Sequence, residues 1–176
     1  MGGRMGGMQV FALSGTVGAG KSTVAVALRD ALLARGIAVG EVDVDAIANE
    51  TPSPPDDPFN ERVVVAHLRT MRPLWRDAGL EVLILPRVIE TAAQRDAYAE
   101  ALGEPVRVVR IDAPTATRHA RLVARHAPGP ERDWHLARTD VLALLLVEAG
   151  VEDLAVTNVD RPPSAVASEI VDLLGF

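Results

Sequence analysis

At 176 residues the chain is one domain's worth of polypeptide, and its 48% hydrophobic and 24% charged content excludes a disordered segment. A formal net charge of -6, with only three Phe, two Trp and one Tyr, argues against a general nucleic-acid or anionic-membrane binder. There is no cysteine, hence no disulfide scaffold and no thiolate zinc site.

Short β-branched runs alternate with helix-length amphipathic segments, the pattern of an α/β protein with a parallel sheet in a single domain over 1–176. Residues 1–8, interrupted by glycines, are expected to be a flexible lead-in and do not read as a signal peptide. A buried strand at 9–13 precedes a helix at 21–35, with Val24, Leu28, Ala31 and Leu32 at helical spacing and Gly36 as its stop. A second strand is read at 37–44, a helix at 60–78, a third strand at 81–85 and a helix at 90–102 stopped by Gly103. A fourth strand at 106–111 leads to helices at 115–126 and 133–149, then a short fifth strand at 154–157 and a last helix at 164–174. The longest aliphatic run, 141–147, is far short of the roughly 18 residues a bilayer span needs. No membrane partner is therefore expected, and the expected location is the cytoplasm. Two breaks interrupt this order: 51–58 (TPSPPDDP), read as an exposed loop stiffened by proline, and 126–132 (HAPGPER).

Between the first strand and the first helix stands Gly15-Thr16-Val17-Gly18-Ala19-Gly20-Lys21-Ser22, which fits G-x-x-x-x-G-K-[ST]. The glycines let the backbone wrap closely so that successive N–H groups form an anion nest, and the helix N-terminus adds its dipole. Of 18 basic residues, Lys21 is the only lysine; it offers a compact ammonium to β- and γ-phosphates where a planar guanidinium fits poorly. Ser22 offers a hydroxyl to Mg²⁺ and Thr23 one to a phosphate oxygen. A chance glycine-rich turn is the alternative, at about 1 in 2,000 on composition. The dinucleotide pattern G-x-G-x-x-G is absent from this loop, which disfavours a nicotinamide cofactor.

This loop, with the chain's size and element order, resembles the small P-loop kinases: the nucleoside-monophosphate, shikimate, gluconate and adenylylsulfate kinases and the chloramphenicol phosphotransferase group. The resemblance implies a three-layer α/β/α P-loop NTPase fold with a five-stranded parallel sheet in the order 2-3-1-4-5. It also implies an acceptor-binding region at 45–78 and an arginine-bearing lid at 115–138. Asp43 and Asp45 look like the D-x-D of shikimate-type kinases, which implies that Asp43 helps hold hydrated Mg²⁺ and Asp45 accepts the proton of the attacking hydroxyl. Strand alternation would put both carboxylates on one face; the other reading is that Asp45 only caps a following short helix. Related kinases often carry an arginine three residues past that aspartate, where this chain has Ala48.

From 107 to 138, seven arginines and three histidines face only Asp112, Glu131 and Asp133, a basic island in an acidic chain. Arg118, Arg121 and Arg125 share one helical face. The spacing of Arg121 and Arg125 is similar to the lid helix of these kinases, implying that they pack on the adenine or clamp phosphates; a solvated charged face is the alternative. Arg118 and Arg132 are weaker candidates for the lid.

The third strand runs into Leu85-Pro86-Arg87, similar to the D-G-x-P-R segment of nucleoside-monophosphate kinases but without its aspartate and glycine. Arg87 is a candidate acceptor ligand or else a surface arginine. Arg62, Arg69, Arg72 and Arg76 are weaker candidates for the acceptor. The segment 158–163 holds the position of the adenine-side loop. The histidines show neither H-x-x-x-H nor H-E-x-x-H spacing, so no zinc site is read, and His67, Trp75 and Trp134 are taken as packing residues.

The expectation is an ATP- and Mg²⁺-dependent phosphotransferase for a small hydroxyl acceptor. Gly15, Thr16, Val17, Gly18, Ala19, Gly20, Lys21, Ser22 and Thr23 would bind nucleotide. Ser22 and Asp43 would hold metal, Asp45 and Arg87 the acceptor, and Lys21, Asp45, Arg121 and Arg125 would act in catalysis. Two alternatives remain: a nucleotide-binding regulatory module or slow NTPase without an acceptor, and a nucleoside-monophosphate kinase. Neither the oligomeric state nor the acceptor's identity is readable.

Overall fold

The computed structural model describes residues 7–49 and 52–176, so residues 1–6 of the flexible lead-in expected at 1–8, and Thr51, the first residue of the proline-rich loop, lie outside the described residues. The strands β1 (Gln9–Ser14), β2 (Val39–Glu41), β3 (Val82–Pro86), β4 (Val106–Asp112) and β5 (Leu154–Thr157) form one sheet in the order β2-β3-β1-β4-β5. Every pairing is parallel. The helices among the described residues are α1 (Lys21–Leu33), α2 (Val44–Asn49), α3 (Glu61–Asp77), α4 (Ala92–Leu102), α5 (Thr115–Arg125), α6 (Pro130–Ala149) and α7 (Pro163–Leu174).

β1 is the central strand, and both its faces are buried, which is why its sequence is continuously apolar instead of alternating. Strand alternation divides the core in two. Val10, Ala12, Leu83, Leu85 and Val108 pack with Val64 and Leu68 of α3 and Tyr98 and Leu102 of α4. Phe11, Leu13, Ile84, Val109 and Ile111 pack with Leu28 and Leu32 of α1 and Val166 and Ile170 of α7. Each such Val, Leu, Ile or Phe side chain contributes about 1.5–3 kcal/mol of transfer free energy. Met8, expected in the flexible lead-in, is itself buried at 5% exposure in the first of these cores.

The second strand departs from expectation. Instead of spanning 37–44 it is three residues long and ends at Glu41, and α2 starts at Val44. The Asp43 carboxylate accepts the amides of Asp45 at 3.0 Å and Ala46 at 3.2 Å, and this local bonding turns the edge strand into a helix. Two helices begin earlier than expected, α6 at Pro130, inside the 126–132 break, and α7 at Pro163, because a proline fits the first turn of a helix, where its missing N–H is not needed. Parallel crossovers bring all the strand C-termini to one edge of the sheet, where β1, β3, β4 and β5 deliver the loops of the site.

Candidate active site

The turn after β1 is built on glycine. Gly15 has φ +136°, and a Cβ there would stand 2.3 Å from the Ile111 carbonyl oxygen; Gly20 has φ +99°, and a Cβ there would meet the Asn158 side chain at 2.4 Å. No residue with a side chain takes either position without strain. The carbonyls of residues 15–19 each find a side-chain donor. Lys21 Nζ donates to Gly15 O at 3.0 Å and Thr16 O at 3.1 Å. The Thr139 hydroxyl donates to Val17 O at 2.7 Å. Arg121 Nη1 donates to Gly18 O at 3.2 Å and Ala19 O at 3.1 Å, and Asn158 Nδ2 to Ala19 O at 2.7 Å. The amides of Gly18, Gly20, Lys21 and Ser22 donate to no other described residue. A run of inward amides at the start of α1 is the arrangement that receives a polyphosphate.

Lys21, Ser22 and Thr23 line a cavity of about 350 Å³ that also reaches Asp45, Arg87, Glu90 and Arg125. Burial pushes the Lys21 ammonium down to about 8; Asp45 opposes that shift, and Arg125 and Arg87 add to it.

At the far end of the cavity the turn after β3 meets α2 and α3. Arg87 is buried, and its guanidinium donates to the carboxylates of Asp45 and Glu61 and to the Phe59 carbonyl, the last at 3.0 Å. Tyr98 of α4 donates its hydroxyl to the other Glu61 oxygen at 2.9 Å. Burial works against the Arg87 charge, but the hydrogen bond to Glu61 and the surrounding negative groups outweigh it, and Arg87 is held above its ordinary range. Burial and the Glu61 carboxylate push the Tyr98 hydroxyl upward, so it stays a donor.

The one-face reading of Asp43 and Asp45 is corrected here. Asp43 is an exposed N-cap outside the cavity lining, whereas Asp45, on the first turn of α2, lines the cavity and is held by Arg87. Capping therefore belongs to Asp43, and Asp45 is the carboxylate of the pair that lines the cavity.

The proline-rich loop is tied down where it meets α3. Asp57 is buried and accepts the amides of Glu61 at 2.8 Å and Arg62 at 3.0 Å, and Asn60 Nδ2 donates to the Ala48 carbonyl at 2.7 Å. Arg62 pairs with Asp56 and Asp57, while Arg69 and Arg76 pair with Glu100 and Glu104; none of the three lines the cavity.

The basic island divides by position. Arg118 is buried and holds the Ala113 carbonyl at 2.7 Å, a bond within the start of α5. Arg121 grips the outer side of the phosphate loop and the Asn158 carbonyl (3.1 Å), which joins it to the segment after β5. Arg125 lines the cavity and forms no hydrogen bond or ion pair among the described residues. Arg138 of α6 also lines it, paired with Glu90, its guanidinium 5.2 Å from the centre of the Phe59 ring.

Sequence reasoning missed several residues here. Trp134, taken as packing, is 52% exposed and lines the cavity with His135, whereas Trp75 packs against the core as expected. Glu61, Glu90, Tyr98 and Arg138 carried no motif; only their partners across the fold identify them. His126, Glu131 and His135 also converge, their ligand atoms within 4.8 Å, with the two imidazoles stacked at 4.3 Å. Glu131 Oε1 lies 3.3 Å from His126 Nδ1 and 3.9 Å from His135 Nε2, so these three could hold a metal although their spacing, which straddles the Pro/Gly break, matches no single-helix motif.

A parallel sheet in this order, with a loop of this construction leaving its central strand, places the protein among the P-loop kinases. Residues 7–121 match the model of the adenylylsulphate kinase family, and the chain belongs to that family. No curated protein sequence matches it. Among solved structures, the Mycobacterium tuberculosis APS kinase in complex with AMPPNP and APS is similar at 21% identity and TM-score 0.60, over 96% of this chain and 98% of that one. The Deinococcus radiodurans tunicamycin resistance protein is similar at 18% identity and TM-score 0.65, over 96% of each chain. Shikimate kinase from Acinetobacter baumannii in complex with shikimate is similar at 17% identity and TM-score 0.61, over 95% and 93%. No helix among the described residues is long and apolar enough to cross a membrane.

Proposed function

We propose that the protein is an ATP- and Mg²⁺-dependent phosphotransferase that moves the γ-phosphoryl group to a hydroxyl of a small acceptor. The observation that carries this reading is the single cavity shared by the phosphate loop, with Lys21 and Ser22, and by Asp45. The residues fit a nucleotide: unpaired amides, a half-buried ammonium and two exposed hydroxyls stand together at the N-terminus of α1. Thr16, Val17 and Ala19 contribute to the cradle through their backbone.

Phosphoryl transfer asks a protein mainly for positioning and charge stabilisation. Lys21 draws the β- and γ-phosphates onto the amides of Gly18, Gly20 and Ser22. The Ser22 hydroxyl would hold Mg²⁺ at the cavity wall, and Asp43, which does not line the cavity, would reach it only through bound water; the metal would supply positive charge against the phosphates. Asp45 orients the acceptor hydroxyl and takes up its proton as the oxygen attacks, and Arg87 fixes the carboxylate for that role. Arg125 closes on the transferring oxygens from α5. Arg121 is a positioning residue that keeps the loop and the segment after β5 in one arrangement. Loop region 45–78 then surrounds the acceptor and 115–138 acts as the lid.

A slow NTPase or regulatory nucleotide binder is the second reading, favoured by the lack of a carboxylate where β3 ends in Leu85-Pro86-Arg87. The nucleoside-monophosphate kinase reading is weaker, because Arg87 is already engaged by two carboxylates. Incubation with Mg-ATP and an acceptor panel, read by mass spectrometry, should yield a phosphorylated acceptor that Lys21→Ala abolishes. Product that survives this substitution removes the mechanism, and nucleotide binding with no product for any acceptor favours the second reading.

A further inference from the structure

We infer that His126, Glu131 and His135 form a site for a divalent transition metal, Zn²⁺ above all, that clasps α5 to α6. Neither the phosphate loop nor its Mg²⁺ takes part, so this metal is independent of the phosphotransferase reading.

The three side chains come from both sides of the second Pro/Gly break. His126 is the C-cap of α5, and Glu131 and His135 stand one turn apart at the start of α6. One ligand atom of each lies within 4.8 Å of the other two. Glu131 Oε1 is 3.3 Å from His126 Nδ1 and 3.9 Å from His135 Nε2. Tetrahedral zinc with bonds of about 2.0–2.1 Å sets its ligand atoms about 3.3 Å apart, so modest side-chain rotation closes the set.

Three observations separate this cluster from a solvated helix end. Among the described residues, Glu131 pairs with no arginine or lysine; its ion-pair partners are the two imidazoles. His135 Nδ1 is buried without a hydrogen-bond partner among the described residues, unlike the ring of a packing histidine, whose nitrogens are satisfied. The His126 and His135 rings are stacked at 4.3 Å and Trp134 stands edge-on to His135 at 4.9 Å, so packing holds the imidazoles side by side.

Two imidazoles and a carboxylate are donors that suit Zn²⁺, whereas Mg²⁺ demands an octahedron of oxygens. Glu131 is 78% exposed, so the metal enters from solvent and its fourth position is left to water. Arg125 and Arg132, close to the ligands in sequence, repel a dication, which sets the affinity at micromolar rather than nanomolar. The clasp acts on the cavity through two of its walls. Arg125, directly before His126, lines the cavity from α5, and Trp134, His135 and Arg138 line it from α6. A metal joining the helices holds these walls together at the mouth of the nucleotide site.

The test uses the untagged whole chain, stripped of metal with a chelator and kept free of nucleotide. Calorimetry with ZnCl₂ should show one Zn²⁺ per chain, and millimolar Mg²⁺ should not displace it. Because Glu131 is exposed, Glu131→Gln probes the site without disturbing the fold. It should weaken Zn²⁺ binding by about tenfold or more, as should His126→Asn and His135→Asn. His119→Asn, whose ring pairs with Asp140 instead, should bind Zn²⁺ as the parent does. Zn²⁺ should raise the melting temperature of the parent and of His119→Asn, and raise that of the three site variants less. No heat of binding at metal concentrations far above micromolar overturns the inference. So does displacement by Mg²⁺, or binding that any one of the three site variants retains undiminished.

Discussion

The hydroxyl of Thr139 donates to the carbonyl of Val17 at 2.7 Å, joining two residues 122 positions apart. Thr139 is fully buried, so α6 hangs from the middle of the phosphate loop by a bond whose donor is closed to solvent. Thr139→Val keeps the shape and leaves the Val17 carbonyl unpaired. Stability should fall by about 1–3 kcal/mol, with weaker nucleotide binding, and Thr139→Ser should recover both. Urea unfolding and calorimetry measure the two effects.

Nucleotide affinity should depend on pH through Lys21. With the ammonium near 8 in the free protein and raised by bound phosphates, binding takes up a proton above that pH. Affinity is then level below about 8 and weakens above it, by at most about tenfold per pH unit. The free protein responds with the opposite sign: its Lys21 lies below the unfolded value of about 10.4, so this group adds stability as pH rises from 8 toward that value. Lys21→Met should bind weakly and show neither dependence, as calorimetry and thermal melts across pH 7–10 would record.

Arg87→Met leaves the Asp45 and Glu61 carboxylates facing each other without a cation. Breaking a buried pair costs about 3–5 kcal/mol, and the partial exposure of both carboxylates should hold the loss to the lower end of that range. Arg87→Lys keeps the charge but not the fork that reaches both partners, so it should recover only part of the loss. Denaturant unfolding of the three proteins gives the order.

His135 lies below its ordinary value, chiefly from burial and then from the facing imidazole of His126. A histidine depressed in the folded state binds its proton more readily once unfolded. The group therefore contributes full stability above about pH 6.5 and loses it progressively as pH falls toward its folded-state value. Melting temperature should decline over pH 7 to 5.5, and His126→Asn should flatten that decline.

The phosphate loop was legible because its chemistry is local: the glycines, Lys21 and Ser22 are fixed by spacing along the chain. The sheet was legible from alternating element types, and its order followed from the resemblance. The second strand was not, since an edge strand with one partner competes with the side chain of Asp43 for the same backbone amides. Asp45 was found as a candidate, but its partner Arg87 sits 42 residues away and no periodicity connects the two. Trp134 was misjudged because helical spacing shows which residues share a face, not whether that face meets the core or a cavity. Glu61 and Tyr98 belong to the site only through tertiary contact.

Lys21 also turns the chain into its own occupancy gauge. No other side chain carries a primary amine, and one that is partly deprotonated near pH 8 is a competent nucleophile toward acylating reagents. Acylation at that residue therefore samples the nucleotide cradle alone, and whatever fills the cradle shields it. Peptide mass spectrometry of the labelled protein would then count filled sites directly, in mixtures or extracts, without an acceptor or a turnover assay.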